Sequence, residues 1–239
     1  MTLAQDPGRP SKPTLIARIL RAEIRSARRK LGLRLSYRSL RDALPEEWSV
    51  PDSDHAKKAE KAAKAICQDF IFAHCHRTYC FGALLAARDG IKLDREVLFI
   101  ASILHDLGLS EKHKDDPGSF EWVGARLAHK FCIDEGVLEE RAELIHNAIA
   151  LHSSVGIADK LTPEIATLHL GAGVDLFGTR IDEVPTGALS QILKKYPRDE
   201  FKACIGGCLQ HQARTKPGSY FAAPAALGIN KRIVEDLQN

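Results

Sequence analysis

The chain has 239 residues, 44% of them hydrophobic, and a formal net charge of +3 at pH 7. That is enough apolar content for a substantial core in one large domain or two small ones, and too little excess charge to demand a polyanionic partner. No run of ~18 or more uncharged apolar residues occurs, and no apolar signal-peptide core stands near residue 1, so neither a membrane span nor secretion is expected.

Residues 1–13 carry Pro7, Gly8, Pro10 and Pro13 and are expected to be disordered. From Thr14 to about Lys30 the spacing of Leu15, Ile19 and Ala22, with Ile16, Leu20 and Ile24 alongside, predicts a basic amphipathic helix. Basic side chains crowd the stretch from Lys12 to Arg41, against Asp6 and Glu23 alone in residues 1–41. A nucleic-acid arm, a membrane-surface helix or an organelle transit peptide would use such charge. A solvated helix face accounts for it more simply, and the near absence of aromatic residues for base stacking counts against nucleic acid.

A loop follows around Leu44-Pro45 and Val50-Pro51, because residues before proline disfavour helix. Asp52, Ser53 or Asp54 can cap a helix that starts near His55 and runs toward Ile71, with a continuation to Ala87 that carries His74, and Gly90 closes it. Asp94 can cap a helix through Leu107, stopped by Gly108, with His105 and Asp106 in its final turn. Residues 108–118 form a polar loop. Ser119 can cap a helix to about Phe131, and another spans Gly136 to Leu151 with His152 at its end. Pro163 opens a helix that continues through Asp175, where Gly171 and Gly173 permit close backbone approach. A last helix covers about Asp199 to Arg214, before a Pro/Gly/Ala-rich segment at 217–228. With no β-alternation of useful length, the expectation is an all-α fold: a disordered 1–13, a basic helix and loop over 14–50, the main helical domain over 51–215, and a C-terminal extension, 216–239, packed on it.

The six cysteines include no C-x-x-C pair, and reduced thiols in a cytoplasmic protein are the expectation. Cys204, Cys208 and His211 fall on one helical face at a spacing that could bind zinc, although small core cysteines beside a polar residue account for them more simply.

His105-Asp106 is the most informative pair. It ends the apolar run from Val97 to Leu104, where titratable side chains are costly without partners, and a metal ion is one such partner. Neighbouring residues on a regular helix point about 100° apart, so both reach one ion only if the helix loosens there, which Gly108 permits. His74, His152 and Asp175 stand on other helices, and inward-facing ligands from facing helices build metal sites in helical bundles. Taken singly, each of these side chains also suits a cap, a surface position or a hydrogen bond, and His76 is as good a candidate by type as His74.

The ordered pattern resembles the HD-domain superfamily of helical metal-dependent hydrolases. The segment from His74 to Ala83 resembles that family's first-histidine motif, which favours His74 over His76, and Leu104-His105-Asp106-Leu107-Gly108-Leu109 resembles its signature. Phe120-Glu121 with Gly124-Ala125, the run Ala148 to His152, and Gly171, Gly173 and Asp175 resemble a subgroup related to cyanamide hydratase, and the similarity covers roughly residues 50–215. The resemblance implies a compact HD-domain bundle with a central metal site whose ligands are His74, His105, Asp106 and Asp175. Phe120 and Ser153 stand where larger clusters of the superfamily have histidine, which favours one metal over two; His129 is expected to face solvent.

One divalent transition metal is therefore expected, zinc foremost, with iron, manganese or cobalt also suited to this donor set. The resemblance implies an enzyme in which metal-bound hydroxide adds to a small nitrile-like substrate such as cyanamide, giving urea. Asp106, His152 and Glu121 are the candidate acid–base groups, with His152 either shuttling a proton or orienting an aspartate. Lys112 and Phe120 are the candidate substrate contacts. The alternative is an HD-domain phosphohydrolase acting on a nucleotide or other phosphomonoester, which needs a cationic clamp from Arg77, Lys112 or Lys114. A binding module with a vestigial site and an iron-dependent oxygenase are weaker readings. The expected partner is a small-molecule substrate, with no nucleic acid or membrane, and self-association is left open.

Overall fold

The computed structural model describes residues 2–35 and 43–237, so Arg38 and Arg41 of the basic segment lie outside it. Helix α1 spans Lys12–Leu35. Helix α2, Asp54–Ile66, begins where the Ser53 hydroxyl accepts a hydrogen bond from the Ala56 N–H. Helix α3, Asp69–Asp89, stops at Gly90 with a left-handed φ of 69°. Helix α4, Arg95–Leu104, is capped by Asp94, whose carboxylate accepts from the N–H groups of Glu96 and Val97. Ser119 caps α5, Phe120–Asp134. The remaining helices are α6 (Glu139–Leu151), α7 (Pro163–Phe177), α8 (Thr186–Lys195), α9 (Phe201–Thr215) and the short α10 (Ala222–Ala226). No strand occurs among the described residues, and the fold is all-α.

Helices α3 and α4 are the centre. Every residue from His74 to Ala86 and from Val97 to Leu104 is buried, so neither helix has the polar stripe of a surface helix. The single helix expected from His55 toward Ala87 is instead two. Cys67 and Gln68 are extended, with ψ of 144° and 155°, and turn the chain between α2 and α3. The reason is that α2 buries only an alanine face (Ala56, Ala59 and Ala63) and presents its lysines to water, whereas α3 must enter the core. Helix α8 was not anticipated; it buries Ala188, Leu189 and Ile192.

Against α3 lies α7, at a backbone separation that only small residues allow. A Cβ at Gly171 would fall 2.1 Å from the Thr78 carbonyl oxygen, and one at Gly82 would meet the Thr167 carbonyl oxygen at 3.0 Å. This close approach brings Asp175 of α7 to the His74 face of α3.

The basic face of α1 is turned partly inward. Arg29 Nε donates to Glu183 at 2.7 Å and its Nη2 to Asp89 at 2.6 Å, Arg25 reaches Asp159, and Arg18 donates to the Tyr220 hydroxyl at 3.1 Å. These pairs dock α1 on the body, while Leu20, Ile24 and Leu31 stay exposed. Residues 2–11 hold no helix or strand but are not free of the body. The Ala4 N–H donates to Asn147 Oδ1, and Asn147 Nδ2 donates to the Thr2 carbonyl. A buried amide that needs partners ties this stretch down. In the C-terminal segment Tyr220, Phe221, Ala222, Ala223 and Ile233 are buried. No described helix is long and apolar enough to cross a membrane.

The α3–α7 approach yields a contrast between glycines. Gly171→Ala is expected to lower stability by about 1–3 kcal/mol in urea unfolding, because the added methyl meets backbone. Gly207→Ala, in the middle of α9 with nothing within 4 Å of the new Cβ, is expected to raise it by about 0.5–1 kcal/mol.

Candidate metal centre

Helix α4 ends at Leu104. His105 retains helical angles, and Asp106 departs to φ −103°, ψ 18° before a 3₁₀ turn over Leu107–Leu109. This unwinding lets adjacent side chains converge, with His105 Nε2 3.2 Å from Asp106 Oδ2. Helix α5 packs directly on the turn. A Cβ at Gly108 would lie 2.2 Å from the Phe120 carbonyl oxygen, and one at Gly124 2.7 Å from that of His105.

His74 enters from α3 with Nε2 3.5 Å from Asp106 Oδ2, and His152 enters from the end of α6 with Nε2 3.8 Å from Asp106 Oδ1. In all three histidines Nδ1 is already used. That of His74 donates to Asp175 Oδ2 at 2.6 Å, that of His105 to the Ser102 carbonyl at 2.7 Å, and that of His152 to the Ile149 carbonyl at 2.7 Å. A neutral imidazole that donates from Nδ1 has only a lone pair at Nε2. With the three imidazoles neutral, three lone pairs and a carboxylate face one another in a buried space, and His105 Nε2 has no hydrogen-bond partner there. Acceptors gathered without a donor are costly unless a cation sits among them.

His74, His105 and Asp106 offer donor atoms within 4.8 Å of one another and could hold a metal ion. Two imidazoles and a carboxylate suit a divalent transition metal, and the orphaned nitrogen of His105 fits that use. Asp175 does not join them. Its carboxylate lies on the Nδ1 side of His74 and is saturated by Arg77, which donates from Nε at 2.8 Å and Nη2 at 2.9 Å, and by Arg198. With those two guanidinium groups on it, its contact with the cluster is the hydrogen bond it accepts from His74 Nδ1. Arg198 precedes α9, far from any motif, and only the tertiary fold brings it here.

The ionisation states follow from burial and neighbours. Burial raises the Asp106 carboxyl pKa, but His105, His74 and His152 outweigh it and hold the group well below the usual carboxylate range. Burial lowers His74. Burial and the neighbouring His105 bring His152 down to about 3, so it is neutral near pH 7. For His105, burial is outweighed by Asp106 and the net shift is upward.

A cavity of about 240 Å³ opens from this cluster, with His74, His105, Asp106 and His152 at its inner end and Phe120 and Ser153 beside them. The Phe120 ring stands across that of His152, centroids 5.7 Å apart. Glu121 is buried behind Ser153, whose hydroxyl donates to Glu121 Oε1; the other carboxylate oxygen has no partner, and burial pushes the pKa up to about 7. Lys112 is exposed and does not line the cavity, because the polar loop carries it to the surface. His169 lines the cavity and donates from Nδ1 to the His152 carbonyl at 2.6 Å. Nothing in its sequence context singled it out, because the contact joins residues on two different helices.

Other candidates fall elsewhere. His76 stacks on Tyr196 with centroids 4.3 Å apart. His129 is half-buried rather than solvent-facing, its ring against that of His146. Cys204 and Cys208 are half-buried free thiols, and His211 pairs with Asp115 at 2.8 Å.

The sequence profile of the HD domain matches residues 71–183, a span that holds His74, His105, Asp106, His152 and Asp175. Cyanamide hydratase DDI2 and cyanamide hydratase DDI3 of Saccharomyces cerevisiae are each 24% identical to this chain over 173 residues, which covers 70% of this chain and 76% of theirs.

Two outcomes are expected. Asp175→Asn is expected to weaken metal binding about 10–100-fold in chelator competition, whereas His105→Ala is expected to abolish stoichiometric metal. Glu121 gives a pH signature. Its folded pKa lies above the ordinary value, so its contribution to stability is full below about pH 4.5 and is lost as pH rises toward 7. Glu121→Gln cannot titrate, so its urea midpoint is expected to gain on the parent's between pH 5 and 8, at up to about 1.4 kcal/mol per pH unit.

Proposed function

We propose that this HD-domain protein is a metal-dependent hydratase that adds water across the C≡N bond of a nitrile-like substrate, as in the conversion of cyanamide to urea. The convergence of three Nε2 lone pairs on Asp106 at the closed end of a weakly charged cavity carries this reading, and the likeness to two proteins named cyanamide hydratase supports it. A zinc ion held by His74, His105 and Asp106 would lower the pKa of water to ~7 and so supply a nucleophile near neutral pH; iron, manganese or cobalt would suit the same donors.

The side chains then handle protons. In hydration the water oxygen bonds to the nitrile carbon, the C≡N bond loses its third component, and nitrogen takes up a proton; the isourea formed from cyanamide tautomerises to urea. His152 is neutral with its Nε2 lone pair fixed toward Asp106, so it accepts a hydrogen bond from the attacking water and orients it, while the proton lost in forming the nucleophile goes to solvent. Asp106 orients both groups through its Oδ1 and Oδ2 edges. The Ser153 hydroxyl donates to Glu121 Oε1, and Glu121, protonated in part near pH 7, is the source that resupplies Ser153 when Ser153 turns its own proton to the substrate nitrogen. Phe120 packs against the His152 ring and keeps bulk water from that face.

The phosphohydrolase reading needs a cationic clamp at the cavity. Arg77 is engaged by Asp175, Lys114 donates to Glu111, and Lys112 is on the surface. None of them lines the cavity.

The test is urea release from cyanamide by the metal-loaded protein, with loss on chelation. Phosphate release from nucleotides, with no turnover of cyanamide or other nitriles, would overturn the reading. His152→Ala is expected to keep its metal and lose about 10²–10⁴ in rate; an unchanged rate would leave His152 a packing role alone.

A further inference from the structure

The cavity is much larger than cyanamide needs and is of the wrong chemistry for a substrate that is polar throughout. Its volume of about 240 Å³ is well over ten times the ~10–15 Å³ that one water molecule needs. Beyond the cluster the walls turn apolar. Leu170, Leu176 and Phe177 come from α7, and Ile205 and Leu209 from α9. The roof is Ile19 and Ala22 of α1 together with Phe221, Pro224 and Ile229 of the C-terminal segment. Among the described lining residues the guanidinium is that of Arg232, which pairs with Glu23 of α1 at 2.9 Å across the rim. A largely apolar chamber with the His74, His105 and Asp106 cluster in its wall offers little to a small polar molecule away from that cluster, but it removes hydrocarbon from water efficiently.

We infer that the substrate carries an apolar substituent of several carbon atoms on the group that is hydrated, an alkyl or aryl nitrile or an N-substituted cyanamide, with the polar head at Asp106 and the substituent between α7, α9 and the roof. The identity of the head group rests on the hydratase reading; the apolar tail rests on the chamber alone. The residues that set specificity are then Leu170, Leu176 and Phe177 on one wall and Ile19 and Phe221 above them.

The two parts can be tested apart. Straight-chain alkyl hydroxamates, from acetohydroxamate upward, place a metal-binding head and a tail of graded length in the same site without any turnover. Calorimetry with the metal-loaded protein is expected to give a Kd that falls about fourfold per methylene over several carbons and then levels as the chamber fills. Gly173→Leu, where a Cβ makes only ordinary contact with Thr179 at 3.5 Å, is expected to move that levelling point to shorter chains. A Kd independent of tail length, absence of binding, or a levelling point unmoved by Gly173→Leu would overturn the inference. Turnover is read separately: kcat/KM is expected to be higher for N-butylcyanamide than for cyanamide. A graded Kd with no nitrile hydrated would overturn the hydratase reading and leave the apolar tail standing. Cyanamide turnover with a flat Kd series would do the reverse.

Discussion

Each imidazole of the cluster is held by its far nitrogen, and the rest of the site depends on that constraint. His74 is fixed through Asp175, His105 through the Ser102 carbonyl, and His152 through the Ile149 carbonyl. Two of these acceptors are backbone atoms within the histidine's own turn of helix, so local geometry alone sets the tautomer. The third is a buried carboxylate brought from α7 across the tightest helix contact described above. A change in the α3–α7 spacing therefore reaches the Nδ1 acceptor of His74 directly, whereas the acceptors of His105 and His152 lie within their own turns of helix.

That long-range acceptor is the costly one. Asp175 is fully buried and ionised, and a buried charge is tolerated only with full compensation. Arg77 and Arg198 supply it from either side, and both guanidinium groups also lie 4.7 Å from the centroid of the Phe201 ring. Phe201 in turn stacks on His74 at 5.1 Å. The carboxylate, two cations, the aromatic ring and the imidazole form one packed unit beneath the metal-binding face. Such a unit adds little net stability, but it fixes one orientation of His74.

The readable parts of the sequence were the local ones. Ser53, Asp94, Ser119 and Gly90 end helices through contacts with residues a few positions away, so their roles could be read from residue type. The His105-Asp106 pair was readable because polar side chains interrupt an apolar run, and Gly108 marked the loosened helix end. Asp175 is legible as a candidate from its place after Gly171 and Gly173, whereas its hydrogen bond from Arg198 is not, because no nearby pattern singles that arginine out. The break at Cys67-Gln68 is not legible in the sequence, because neither residue is a strong helix breaker; the turn is imposed by the different burial of α2 and α3. Ser153 is notable in the sequence only for not being a histidine, because its link to Glu121 joins side chains 32 positions apart.

The chamber and the metal-binding face are built from different parts of the chain. The ligands sit on α3 and the end of α4, in continuous sequence with the helices that bury them. The roof joins α1 to the segment after α9, and its contacts, such as Arg18 with Tyr220 and Glu23 with Arg232, span 202 and 209 positions. During synthesis the cluster can therefore assemble while the roof still lacks its second half. The roof is thus the part that can loosen without unmaking the helices that carry His74, His105 and Asp106.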